Sequence, residues 1–203
     1  CYNVLSNEFQ ALSISPQFSD YSETSTQINY YSPYYSATVL KSNGVLSELI
    51  INPDNNDLIN NFEAKVNNDF QNSMSAETTI LNYSNNELII NVSGQISSNV
   101  YLTQILHFQP RIIIAEQYFK ISSSGDYNLT YNADMTPYAD SLAYREYANI
   151  SLNQPTQTFF STNNHHAVFK NNTGIGLFYP QESIASVQTS SGVDTQIMLG
   201  QTS

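Results

Sequence analysis

The chain has 203 residues, only 11% of them charged, with six Lys and Arg against seventeen Asp and Glu and a formal net charge of −11. That balance argues against a nucleic-acid partner, because no basic stripe exists to replace phosphate counterions. No apolar run approaches the roughly 18 residues a membrane helix needs, so membrane insertion is not expected. Polarity comes instead from Asn, Ser, Thr, Gln and fifteen Tyr. With every carboxylate protonated the chain would carry only about +10, too little for strong self-repulsion. Amides and hydroxyls stay hydrated at any pH, which suits an acidic or harsh exterior.

The sequence begins at Cys1, its one cysteine, so no internal disulfide forms. A start without methionine points to removal of an upstream segment, most simply a signal peptide. Cys1 is then open to two readings: the site of a lipid anchor, or an ordinary cleavage point whose thiol can bond another chain. Residues 4–14 alternate apolar and polar with imperfect period two. If extended, Leu5, Phe9 and Ala11 share one face, and Leu12 and Ile14 the other. Pro16 follows, and residues 19–27 lack aliphatic side chains and read as a linker. The expected division is an N-terminal extended strand and polar linker over 1–27 and a β-sandwich domain over 28–203.

Beyond residue 28, short runs rich in Ile, Val, Thr, Tyr and Phe are punctuated by turn residues. Strands are expected at 35–40 and 45–51, flanking Asn43-Gly44, the strongest short hairpin signal. Further strands are expected at 78–81, 87–92, 100–108, 111–121, 127–131, 144–152, 158–161, 167–170, 176–179, 184–188 and 195–199. Such spacing suggests a sandwich or barrel. One stretch competes: over 53–70, Leu58, Ile59, Phe62, Val66 and Phe70 fall at helical spacing after Pro53, which predicts a short helix despite many asparagines.

The inventory for catalysis is thin. His107 sits in a strand between Leu106 and Phe108, and His165-His166 follow Asn163-Asn164 in an expected turn. Adjacent histidines on a strand point to opposite faces and do not share a metal. The string Asp54-Asn55-Asn56-Asp57 offers calcium-friendly oxygens but lacks the loop glycine and terminal glutamate. No nucleophile elbow, zincin motif or phosphate loop occurs. Paired carboxylates cannot be matched across strands from sequence. No enzyme activity, metal or cofactor is therefore expected.

Two covalent modifications are open. Five Asn-x-Ser/Thr sequons start at Asn82, Asn91, Asn128, Asn149 and Asn171. Their number is what this composition yields by chance, so their use depends on secretion. Asn82 and Asn171 fall at expected turns; Asn91 lies in a hydrophobic strand. An isopeptide crosslink needs a buried, neutral lysine beside an acid. In a strand over 111–121, Glu116, Tyr118 and Lys120 share a face, which makes Lys120 and Glu116 candidates, with an exposed ion pair as the plainer reading.

The strand-like segment 4–14, the polar run 19–27, the many short strands and the Asn/Ser/Thr/Tyr-rich, charge-poor composition together resemble archaeal extracellular filament subunits of the thread and bundling-pilus type. The resemblance covers the chain in outline. It implies a secreted, glycosylated Ig-like β-sandwich at the cell surface whose partners are copies of itself. Each subunit would donate its N-terminal strand to the next, with Leu5, Phe9, Leu12 and Ile14 as anchors. The alternative is a carbohydrate-binding or adhesive β-sandwich module, or a surface lipoprotein. Tryptophan, the usual sugar-stacking platform, is absent, so it is a clustered row of exposed tyrosines that would favour the sugar-binding alternative.

Overall fold

The computed structural model describes residues 19–52, 55–57, 59–84, 86–135, 141–144, 148–151, 157–161, 165–170, 173–179, 185–189 and 193–202. The donor positions Leu5, Phe9, Leu12 and Ile14, together with Cys1, lie outside the described residues, as do Asp54 and the sequon start Asn171. In chain order the first strands are β1 (Asp20–Glu23), β2 (Gln27–Tyr31), β3 (Tyr35–Leu40), β4 (Leu46–Ile51), β5 (Asn56–Asp57), β6 (Asn61–Val66) and β7 (Asp69–Phe70). A single 3₁₀ turn, Gln71–Ser73, leads to β8 (Ala76–Ser84), β9 (Glu87–Ser97), β10 (Val100–Gln109), β11 (Ile112–Ile121) and β12 (Tyr127–Asp134). The remainder are β13 (Ser141–Tyr144), β14 (Ala148–Ser151), β15 (Gln157–Ser161), β16 (His165–Lys170), β17 (Thr173–Phe178), β18 (Ala185–Thr189) and β19 (Val193–Thr202).

All pairings among the described strands are antiparallel. The largest sheet runs β1-β2-β3-β4-β6-β12-β19-β18-β15, with β5 on β4 and β7 on β6; a second runs β11-β10-β9-β8; a third runs β14-β13-β16-β17. Period-two burial builds the core between the first two sheets. Ile28, Tyr30, Ala37, Val39, Leu46, Phe62, Ala64 and Val66 from the large sheet join Leu88, Ile90, Val92, Leu102, Leu106 and Phe108 from the second in one buried cluster. The expected all-β sandwich is therefore present, with the third sheet in addition.

Buried polar groups tie the two layers together. Gln71 is fully buried as the chain crosses from the large sheet to the second. Its Oε1 accepts from the Ala64 N–H at 2.8 Å, and its Nε2 donates to the Asn43 carbonyl at 3.0 Å and to Gln104 Oε1 at 2.9 Å. At the other end, the Tyr35 hydroxyl donates to the Gln109 carbonyl and the Tyr30 hydroxyl to the Asn86 carbonyl.

Three expectations are corrected. The helix over 53–70 is not formed: β6 occupies its centre, with Phe62, Ala64 and Val66 facing the core at period two. Pairing of β6 with β12 supports the strand, and Asn67 ends it with a left-handed φ of 53° that a continuing helix would not allow. The linker over 19–27 instead holds β1, paired with β2, because Tyr21 packs edge-on against Tyr83. A single strand over 144–152 is replaced by the antiparallel pair β13 and β14, in register from Ser141 opposite Ser151 to Tyr144 opposite Ala148.

The Asn43-Gly44 hairpin stands as expected, joining β3 to β4. Gly44 has φ +72°, and a Cβ there would lie 2.1 Å from Val92 Cγ1 in the core. Gly44→Ala should therefore cost about 2–4 kcal/mol, from left-handed strain plus overpacking. Urea unfolding of the two proteins measures it.

Candidate functional site

The sequence of β11 is largely apolar on its inner face, while its outer face mixes Ile112, Ile114 and Tyr118 with Glu116 and Lys120. Ile113, Ala115, Phe119 and Ile121 turn inward and pack, half-buried, against the core cluster. Ile112, Ile114 and Tyr118 turn outward and remain 49%, 40% and 55% exposed. The strand is ten residues long and pairs with β10 without a bulge from Gln109 opposite Ile112 to Val100 opposite Ile121. Among the described residues β11 has no second neighbour, so its outer row of backbone groups lacks a strand partner. The inward Gln117 adds to this: its Nε2 is buried and finds no hydrogen-bond partner among the described residues.

The other sheet edges are blunted in the ways that discourage pairing. β8 carries a register shift between Ile80 and Asn82. β1 is four residues long and bears Asp20 and Glu23. β14 and β15 have four and five residues. β17 contains Gly174 and Gly176, which weaken a strand. Ile175 and Leu177 of β17 pack against the same core cluster as the inner face of β11.

On the outer face of the second sheet, His107 bridges three strands. Its Nδ1 lies 3.2 Å from Glu87 Oε1 on β9, and its Nε2 lies 3.8 Å from Glu116 Oε1 on β11. Gln109 also donates to Glu87 at 2.9 Å, and together Gln109 and then His107 hold that carboxylate below its ordinary range. Sequence reasoning found His107 but not its partners, because cross-strand neighbours depend on register. His165 and His166 open β16 and are not in a turn. Among the described residues no group of three or more His, Cys, Asp or Glu is placed to hold a metal ion.

The modification candidates separate. Asn82 is exposed on β8, and its amide donates to Ser84 of its own sequon at 3.1 Å. Asn82 lies within the strand, at the bulge, not in the turn. Asn128 is exposed at the start of β12. Asn91 is half-buried, and the period-two pattern of β9 sets it on the outer face, opposite Ile105. Asn149 lies in β14, opposite Ala143. Glu116, Tyr118 and Lys120 do share a face, but it is the solvent face. There the Tyr118 hydroxyl donates to Glu116 at 2.7 Å, and Lys120 lacks the burial that isopeptide chemistry needs.

One carboxylate is deeply placed. Glu63 on β6 is 1% exposed and accepts the Asn72 N–H at 2.8 Å. Burial pushes its pKa above the ordinary value of 4.5, with the Asn72 bond opposing. The folded chain therefore binds this proton more tightly than the unfolded chain. Its contribution to stability is full below about pH 4.5 and is lost as pH rises through the raised value. Glu87 has the opposite sign, contributing above its unfolded pKa and losing that as pH falls through its lowered one. Glu63→Gln should raise Tm by ~2–4 °C near pH 7 and leave it nearly unchanged near pH 4, as calorimetry at the two pH values would read.

Compared with known proteins, the chain matches no family model and shows no significant similarity to a curated protein sequence.

Proposed function

We propose that this chain is the structural subunit of an extracellular filament at the cell surface, polymerising head-to-tail by strand exchange and without catalysis. The observation that carries this reading is the open edge of β11: ten residues without a bulge, a largely apolar inner face, and one hydrogen-bonded neighbour among the described residues. In a lone subunit such an edge is an aggregation hazard. In a polymer it is a template for β-augmentation, where main-chain bonds give affinity and alternate side chains give specificity.

The donor is residues 4–14 of a second copy. Eleven extended residues reach about 36 Å, against about 33 Å for β11, so one can run the length of the other. Leu5 and Phe9 would pack inward beside Phe119 and Ile121 or beside Ile113 and Ala115, depending on strand direction. Leu12 and Ile14 reach that face through a bulge. A donor carbonyl would also give the Gln117 amide an acceptor. The contact joins two different surfaces, so it propagates instead of closing. Glycans on Asn82 and Asn128, both exposed, would solvate the fibre. The bulge and sequon on β8 leave one acceptor edge on the second sheet, which sets a single direction of growth.

Electron microscopy of material sheared from the native cell surface should show thin fibres one subunit wide. The double variant Phe9→Asp, Leu12→Asp should give folded monomers and no fibres; fibres from that variant would end the donor assignment. A synthetic peptide of residues 4–14 added to the variant should slow amide hydrogen exchange at 112–121. Protection confined to another edge would move the acceptor away from β11.

A further inference from the structure

Two of the exposed tyrosines meet at one place. The outward face of the second sheet carries a shallow concavity of about 550 Å³ where β9, β10 and β11 approach the turn at Ser98 and Asn99. Tyr101 and Tyr118 line it, 45% and 55% exposed. Register explains why they converge. Tyr101 lies opposite Lys120 and Tyr118 opposite Thr103, so the two tyrosines are diagonal neighbours on one face, about 7–8 Å apart at their origins. Neither ring is paired with another aromatic ring among the described residues, whereas Tyr21, Tyr30 and Tyr35 are. Their π faces are open to a ligand.

The rim is polar and close to neutral. Gln95, Asn99 and Thr103 supply amides and a hydroxyl, and Lys120 the one cation. Gln95 is held in place by its amide, which donates to the Ser98 carbonyl at 2.8 Å and leaves its oxygen as a free acceptor for a ligand hydroxyl. The Tyr118 hydroxyl is anchored on Glu116, which restricts the ring while leaving its face open. Two aromatic faces ringed by amides and hydroxyls match a molecule with an apolar C–H face and a hydroxylated edge. That molecule is a pyranose. A polyanion is disfavoured by the net charge of −11.

We propose that Tyr101 and Tyr118 form a binding site for a short neutral oligosaccharide, the two rings stacking on neighbouring sugar units and Gln95, Asn99 and Lys120 bonding their hydroxyls. The site uses outward side chains of β10 and β11, whereas strand exchange would use the backbone edge of β11, so the two share that strand but not the same groups. A filament built from such subunits would carry one sugar site per repeat, and weak single-site affinity would be multiplied along the fibre.

The test uses the full chain and saturation-transfer NMR with four probes at millimolar concentration: maltotetraose, cellotetraose, chitotetraose and mannotetraose. Transfer to at least one probe is expected. Tyr101→Ala and Tyr118→Ala should each weaken it by about tenfold, while Tyr118→Phe and the distant Tyr31→Ala retain it. Both truncated side chains point to solvent, so the fold should survive, and circular dichroism checks that. No transfer from any of the four probes, or transfer undiminished in both alanine variants, overturns the proposal. Neither outcome bears on whether fibres form.

Discussion

A strand carries backbone donors and acceptors along two edges, and the outermost strand of an open sheet satisfies only one of them. In this protein that constraint falls most heavily on β11. Among the described residues the second sheet is four strands wide, with the bulged β8 at one end and the unbroken β11 at the other. The inner face of β11 belongs to the core, so the strand cannot be shortened or broken without opening the sandwich. Its free edge is thus a consequence of the core it helps to form. In the proposed filament, strand exchange would resolve the conflict by letting a second copy complete the layer.

The interior shows how a charge-poor chain holds two sheets together. Gln71 and Gln104 meet between the layers with good geometry, and Gln71 also caps an N–H of β6 and the carbonyl of Asn43. A neutral amide pair makes those bonds without the desolvation a buried ion pair suffers. Outside, the sheet face carries His107 between two glutamates, with tyrosines, threonines and amides around them. Glu63 and Glu87 pull the acid response in opposite directions. Low overall charge limits the rest.

Much of the fold was legible because its signals are local. Asn43-Gly44 marked a hairpin, and only a residue free of a Cβ fits at position 44 against Val92. The limits of β3 and the extent of β11 followed from alternation and turn residues. The helix over 53–70 failed because Leu58, Ile59, Phe62 and Val66 satisfy helical spacing, while Phe62, Ala64 and Val66 satisfy strand spacing equally well. The choice went to the pattern that could pair with β12, a partner more than sixty residues away. The β1 strand was missed for a related reason: a polar run becomes a strand once β2 offers an edge and Tyr83 offers a ring. Of the candidate sites, the shared face of Glu116, Tyr118 and Lys120 was readable from period two, but not whether that face was core or solvent.

By itself the sequence determined the class of structure, the absence of a basic surface, the position of the sequons, the apolar–polar alternation of residues 4–14 and the apolar run Ile112–Ala115. These depend on residue type and on neighbours within a few positions. The tertiary structure alone decided that β11 ends a sheet, that Glu63 is buried and Glu116 is not, and that Tyr101 and Tyr118 share a concavity. Each of these depends on which strands lie side by side and in what register. Shifting a pairing by one residue turns every side chain to the opposite face, so pairing over long separations, which no local pattern encodes, fixes where the chemistry sits.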